Sequence, residues 1–437
     1  MRMDSSQSHQ PPKTAPSDPF ADGVDRRRLL RSSATAGAAV SLTACLSEAT
    51  EGDARSPTVY VFNNGDRTVS VVDAEADERL ETTFIGTTAS FPANQYGTGA
   101  DSTYDVLWLN VDGGVRAFDQ QTLKELTAVE TGYGSNYPNL TPDEEQLLVA
   151  AGGTTTIPPE PDPASETPTT HRYVRVDADR TSDDFGSVTG EIETEYTGPC
   201  DVTLGPDGEY AFAAEITNET LAVLRVDPFE VATRVDVGEP ADDGKVLPFM
   251  CTASFDGERL LVENGEGELG PDPDVPRNGS ESIWDVSDPE SPVELERITR
   301  DGGLPAMPIT SEIGPDSEVA YLFTPDADAV TVVDLEAQAV DRELDVGGSS
   351  IAGAWGPHRE KLYVPVQTAN HVAVIDHAQR AVVETVDVGE SPTGAVGGMV
   401  RPDTDATRRA LGSLSNLGID VGGQEATHCP AGNCYCG

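Results

Sequence analysis

Basic residues are scarce: lysine and arginine number 28 against 76 aspartates and glutamates, for a formal net charge of −48. A surface of that sign repels phosphate, which argues against nucleic acid as a partner. Long apolar runs are scarce too. Beyond one stretch, Ala34 to Ala44, nothing approaches membrane character, and that stretch is too short to span a bilayer comfortably. A nucleophile elbow, a phosphate-binding loop, a dinucleotide fingerprint, an HExxH zinc motif and a CxxCH haem site are all missing, which counts against the familiar hydrolases, nucleotide enzymes and covalent haem proteins. Cysteine occurs only six times in 437 residues, so its positions carry weight.

Acidity on this scale also accompanies disorder, but disorder needs few strand formers, and here Val, Tyr and Phe recur in alternating runs. A solvated acidic surface over a β core fits better. With lysine scarce and aspartate abundant, the profile resembles that of proteins from halophilic archaea.

At the amino terminus a polar leader reaches Gly23, followed by Asp25-Arg26-Arg27-Arg28-Leu29-Leu30-Arg31, the short apolar stretch and Cys45. The paired arginines and leucines resemble a twin-arginine export signal, and Leu42-Thr43-Ala44-Cys45 resembles a lipobox. The resemblance implies that residues 1–45 are a signal region, that Cys45 takes a lipid, and that the mature chain sits on the outer face of the cytoplasmic membrane. Residues 46–56 then read as a linker.

One phrase recurs along the chain, an alternating run closed by aspartate. Its copies are Val69-Ser70-Val71-Val72-Asp73, Val115-Arg116-Ala117-Phe118-Asp119, Tyr173-Val174-Arg175-Val176-Asp177, Val223-Leu224-Arg225-Val226-Asp227, Glu281-Ser282-Ile283-Trp284-Asp285, Val330-Thr331-Val332-Val333-Asp334 and Val372-Ala373-Val374-Ile375-Asp376. Alternation predicts a strand, and an Asp side chain accepts from backbone N–H groups two residues on, so the aspartates read as turn builders. Companion strands precede the phrases, as in Val59-Tyr60-Val61-Phe62-Asn63-Asn64, and Pro-Asp or Asp-Gly turns precede those. Outer strands such as Glu343-Leu344-Asp345-Val346-Gly347 follow.

These units are similar to the YVTN-type, WD40-like propeller repeat. The resemblance covers roughly residues 57 to 400 and implies an all-β, seven-bladed β-propeller of four-stranded antiparallel blades over 57–402. The first unit lacks its innermost strand while Thr393 to Val400 is left over, so this C-terminal strand is expected to complete the first blade. Ile157 to Thr170 and Gly265 to Gly279 interrupt the third and fifth blades as long surface loops.

Ligands of such folds usually sit at the mouth of the central channel, where Cys200, Cys251, Glu215 and Glu263 are the candidates. Cys200 and Cys251 allow a disulfide, two buried thiols or a soft metal site. His358, His371 and His377 read as exposed polar residues. The tail, 403–437, ends with His428, Cys429, Cys434 and Cys436 within nine residues. Three thiols and an imidazole suit Zn or Cu, and a disulfide with a spare thiol stands equally open. No catalytic residue is assigned. The leading reading is an extracytoplasmic, lipid-anchored monomer that binds a small ligand or a surface protein, with metal at the terminal cluster. The alternatives are an enzyme, lactonase-like or oxidoreductase, and a copper-handling protein.

Overall fold

The computed structural model describes residues 55–86, 89, 92, 106–111, 113–132, 137–152, 171–194, 199, 201–240, 244–267 and 278–402. Within them the strands form seven antiparallel sheets, arranged as the blades of a propeller. Six are four-stranded, and three strands of blade 2 fall among the described residues. Buried apolar side chains fill the seams between consecutive blades. Phe212, Leu221 and Val223 of blade 4, for instance, pack on Leu260, Val262 and Trp284 of blade 5.

The predicted closure is present. Pro392–Val400 is the innermost strand of blade 1 and pairs antiparallel with Arg55–Asn63, with Tyr60 opposite Val396 and Thr58 opposite Gly398. The Tyr60 hydroxyl and the Thr58 hydroxyl both donate to the Val400 carbonyl, at 2.5 and 2.9 Å. Gly397 lets this strand lie close against blade 7, since a Cβ there would stand 2.6 Å from the Trp355 carbonyl oxygen.

The repeated phrases form the third strand of each blade. Six closing aspartates accept backbone N–H bonds from two or three residues on, as Asp73 does from Glu75 and Ala76. Blade 4 corrects the expected register. There Tyr210 faces Arg225 across the ladder, the place where Lys361 faces Asp376 in blade 7, so the phrase ends on Arg225. Asp227, two residues on, precedes a cis peptide bond to Pro228 and its carboxylate is 93% exposed.

Two further expectations change. His377 is not exposed filler: its side chain is only 12% exposed, its Nδ1 is paired with the Tyr321 hydroxyl at 2.8 Å and its Nε2 with Asp316 at 2.9 Å. Since Tyr321 and Asp316 belong to blade 6 and His377 to blade 7, this is an inter-blade latch. Tyr363 of blade 7 repeats it, donating to Asp77 of blade 1 at 2.7 Å. The fifth-blade interruption is not wholly loop either. Its second strand runs Arg259–Gly267 and its third Asn278–Asp285, with Gly265 opposite Gly279, so strand structure extends beyond the six-residue strands of blade 7.

Strand order fixes which end is which. Inner strands start at the end called here the mouth and finish at the end where the aspartate turns lie. Because Arg55 pairs with Val400, the chain enters and leaves the propeller at the aspartate-turn end.

Removing the seam strand uncovers the backbone edge of Arg55–Asn63. A chain ending at Ser391 is expected to lose its cooperative thermal transition, and Gly397→Val to cost about 2–3 kcal/mol through overpacking against Trp355. Thermal melts followed by circular dichroism test both, and an unaltered melt of the truncated chain contradicts closure through this strand.

Candidate functional site

Cys45, Cys200 and the terminal group His428, Cys429, Cys434 and Cys436 lie outside the described residues. Glu215, Cys251 and Glu263 are described, and all three are buried. They do not form one group.

Glu215 ends the second strand of blade 4, Tyr210–Glu215. Its carboxylate accepts from the Tyr173 hydroxyl of blade 3 at 2.8 Å, from the Thr220 hydroxyl at 2.7 Å and from Arg234 Nε at 2.9 Å. Charge-assisted bonds of this kind offset the cost of burial. Glu215 therefore ties blade 3 to blade 4 as a satisfied anion.

Glu263 looks equivalent in the sequence and is not. Within its blade Glu263 faces Glu281, whereas the residue matching Glu215 is Asn264, which faces Ser280 as Glu215 faces Thr220. An offset of one residue turns a side chain to the opposite face of a sheet. Glu263 accordingly points with Leu261 and Ile283 toward blade 6, and Glu215 with Ala211 and Ala213 toward blade 3.

Glu263 and Glu281 form a directly opposed cross-strand pair, both 0% exposed. None of their four carboxyl oxygens makes a hydrogen bond of normal geometry. Burial pushes Glu263 up to about 7, opposed in part by the Ser311 hydroxyl of blade 6. Burial, with the charge of Glu263 added, raises Glu281 well above the ordinary carboxylate range.

Four more groups feel the Glu263 charge, Cys251 among them. Burial raises Glu312, on the inner strand of blade 6, and the Trp355 indole N–H opposes the rise. Asp201, ahead of the inner strand of blade 4, is raised by burial although it accepts from the backbone N–H of Val202 at 2.7 Å and of Cys251 at 3.1 Å. Tyr137, before the inner strand of blade 3, is raised by burial and then by Glu312, Asp201 and Glu263.

Cys251 is a free, buried thiol on the inner strand of blade 5, so the disulfide considered for it is absent. It donates to the Phe212 carbonyl at 3.4 Å, and burial followed by the Asp201 and Glu263 charges holds it protonated. A thiol in that state is a poor nucleophile and a poor soft-metal ligand.

An apolar collar lies at the mouth beside these acids. Ile216, Leu247, Phe249, Met250, Met307 and Ile309 cluster there, with Tyr137 packed against them. A separate cleft of about 780 Å³ opens at the aspartate-turn end between blades 3 and 4, away from the channel acids. Its two arginines are already engaged, Arg175 with the Val226 carbonyl and Arg225 with Glu230 and Glu290.

Sequence reasoning found Glu263 but missed its partner. The signal was present: the repeated phrase opens on Val69, Val115, Tyr173, Val330 or Val372 elsewhere and on Glu281 in blade 5.

Fold and site together define a seven-bladed β-propeller whose buried acids gather where blades 4 to 6 meet the channel. No family model matches the chain, and no curated protein matches it. Solved structures do. A periplasmic gluconolactonase of Pseudomonas aeruginosa aligns over 79% of this chain and 99% of its own, at 16% identity and a TM-score of 0.55. A putative 6-phosphogluconolactonase of Bacteroides fragilis aligns over 79% and 98%, at 15% and 0.55. Hydrazine synthase of Kuenenia stuttgartiensis aligns over 77% and 99%, at 14% and 0.55. At these identities the likeness is one of fold alone.

Two variants separate the acids. Glu215→Ala removes the acceptor that Tyr173, Thr220 and Arg234 share and is expected to cost about 2–4 kcal/mol in a denaturant titration. Glu263→Gln is expected to stabilise. Because Glu263 titrates higher folded than unfolded, its favourable contribution is complete below pH about 4.5 and is lost as pH rises through about 7. In chelator-treated buffer the variant should therefore gain on the parent between pH 5 and pH 8, by about 3 kcal/mol at the upper end. Parallel melts at the two pH values that run at a constant separation contradict the assignment.

Proposed function

We propose that this chain is an extracytoplasmic propeller, tethered by a lipid on Cys45, which binds a small ligand or a partner protein at its mouth. The polarity of the ring carries this reading. Arg55 and Val400 leave at the aspartate-turn end, while the strands ending at Ala151 and Gly267 deliver both long interruptions of the sequence to the mouth. A tether before residue 55 holds one end toward the membrane and presents the other outward. Loops carried on a rigid scaffold are where binding residues concentrate.

Binding is favoured over hydrolysis because the acids are sealed. Asp201, Glu263, Glu281 and Glu312 are at most 3% exposed, and a general acid or base has to come within hydrogen-bond reach of its substrate. The terminal His428, Cys429, Cys434 and Cys436 group, on a tail of roughly 35 residues leaving from the membrane-facing end, is proposed to hold Zn or Cu.

One preparation tests the reading, expressed in a host with lipoprotein processing. Mass spectrometry of the membrane fraction should find a lipid on Cys45, and Cys45→Ser should appear in the soluble fraction without it. The soluble protein should hydrolyse glucono-δ-lactone no faster than buffer and should carry Zn or Cu lost on Cys429, Cys434 and Cys436→Ser. Lactone turnover reduced by Glu312→Gln would replace the binding reading with the enzymatic one.

A further inference from the structure

We propose that Glu263, Glu281 and Ser311 form a site for a hard divalent cation of the Ca²⁺ class, buried in the seam between blades 5 and 6. The site is independent of the terminal cysteines and of the binding reading above.

The repeat itself provides the control. At the place of Glu263 and Glu281 no other blade sets a charged residue: Phe62 stands opposite Val69 in blade 1, Asn110 opposite Val115 in blade 2, Ala150 opposite Tyr173 in blade 3, Ala214 opposite Leu221 in blade 4, Phe323 opposite Val330 in blade 6 and Pro365 opposite Val372 in blade 7. The fold thus has no use for charge at this position. Blade 5 alone places two carboxyls there, fully buried and with no hydrogen bond of normal geometry to any of the four oxygens. Two unpaired buried charges cost several kcal/mol each unless something neutralises them.

A second observation comes from the neighbouring blade. Ser311, on the inner strand Thr310–Ile313, is 2% exposed and its hydroxyl also lacks a hydrogen-bond partner of normal geometry. It lies close enough to Glu263 to lower that group's affinity for a proton. A neutral oxygen with free lone pairs beside Glu263 completes one side of a coordination shell.

The donor chemistry selects the ion. All five atoms are oxygens, which hard cations prefer over Zn or Cu, and two carboxylates balance two positive charges. No three His, Cys, Asp or Glu side chains converge among the described residues, which give this ion two acidic ligands. Ser311 and water fill the remainder, as is usual for Ca²⁺ and Mg²⁺.

The surroundings favour a fixed site with a cover. Directly opposed residues on paired strands hold their Cβ atoms roughly 4.5–5.5 Å apart, a span that brackets one ion. The ladder continues on the mouth side through Gly265 opposite Gly279 and Glu266 opposite Asn278, which anchors both glutamates from above and below. Leu261, Ile283, Ile298 and Ile313 make a dry floor. Gly279, two residues from Glu281 on the same face, has Met307 packed against it: a Cβ there would meet Met307 Cγ at 2.2 Å. Methionine is adaptable, so this cover can give way to an entering ion.

The test uses the full chain, freed of metal by chelator at pH 8 and held in roughly 1 M NaCl to screen the exposed carboxylates. Calorimetric titration with Ca²⁺ alone should show one site per chain, and Ca²⁺ should raise the melting temperature. Glu281→Gln and Glu263→Gln should each weaken that site at least ~100-fold, given that losing even an outer-shell partner costs 10–100-fold. Both variants should remain folded in chelator, melting at or above the parent, which distinguishes a lost ligand from a lost fold. Ser311→Ala should weaken binding less. No response of the parent to Ca²⁺, Mg²⁺ or Mn²⁺, or an equal response in parent and both glutamine variants, would falsify the site and leave the pair as a proton-sharing one.

Discussion

The structure depends on one pairing, that of Pro392–Val400 with Arg55–Asn63. Seven twisted sheets placed face to face leave two blade faces unmet until the ring closes, and the two strands that close it are about 340 residues apart. Chain entropy does not forbid this. The cost of closing a loop grows only with the logarithm of its length, so a 300-residue loop costs about 2 kcal/mol more than one a tenth as long. Against that stand a nine-residue ladder, two hydroxyls converging on Val400 and a glycine that admits the Trp355 carbonyl. Closure also sets the polarity of the molecule. Because the shared blade takes its inner strand from the end of the chain and the rest from the beginning, both termini of the ring must emerge at the same end.

Within that ring, parity decides which side chains meet. Each blade presents alternate residues to its two neighbours, so a carboxylate moved by one position changes partners completely. Glu215 finds a tyrosine, a threonine and an arginine; Glu263, one register step away, finds another glutamate. The two are chemically identical and electrostatically opposite. One is an anion held by donors, the other a group for which the charged form is penalised.

This is also where the sequence stopped being legible. The propeller, its seven units, the turn-building aspartates and the closing strand rest on short-range signals: period-two alternation, Asx and Pro-Gly turns, and a strand left over at one end and missing at the other. Those are local, and they survive divergence. The phase of one blade against the next is not local. Asp227 completes the pattern in sequence, but the ladder of blade 4 places Arg225 at the phrase end. The same limit hid the role of His377, whose partners Tyr321 and Asp316 lie 56 and 61 residues away in another blade.

Composition makes the buried acids harder to notice and more informative once seen. In a chain with 76 carboxylates most are solvated and interchangeable, and a chance cluster is the ordinary expectation. Burial overturns that expectation most strongly for the four whose charged form it penalises, Asp201, Glu263, Glu281 and Glu312, because a dry carboxyl is costly whatever the surface carries. Among the four, Asp201 is held by two backbone N–H groups and Glu312 lies beside an indole N–H. Glu263 and Glu281 instead face each other, with the Ser311 hydroxyl beside Glu263 alone, in a repeat that sets no charged residue at that place in any other blade. Their presence therefore reflects either protons that the fold must retain or an ion that it was shaped to admit, and the two differ in what pH 8 does to the seam between blades 5 and 6. Retained protons would be driven off and the seam weakened, whereas a bound divalent ion would hold it together while the carboxylates stay ionised.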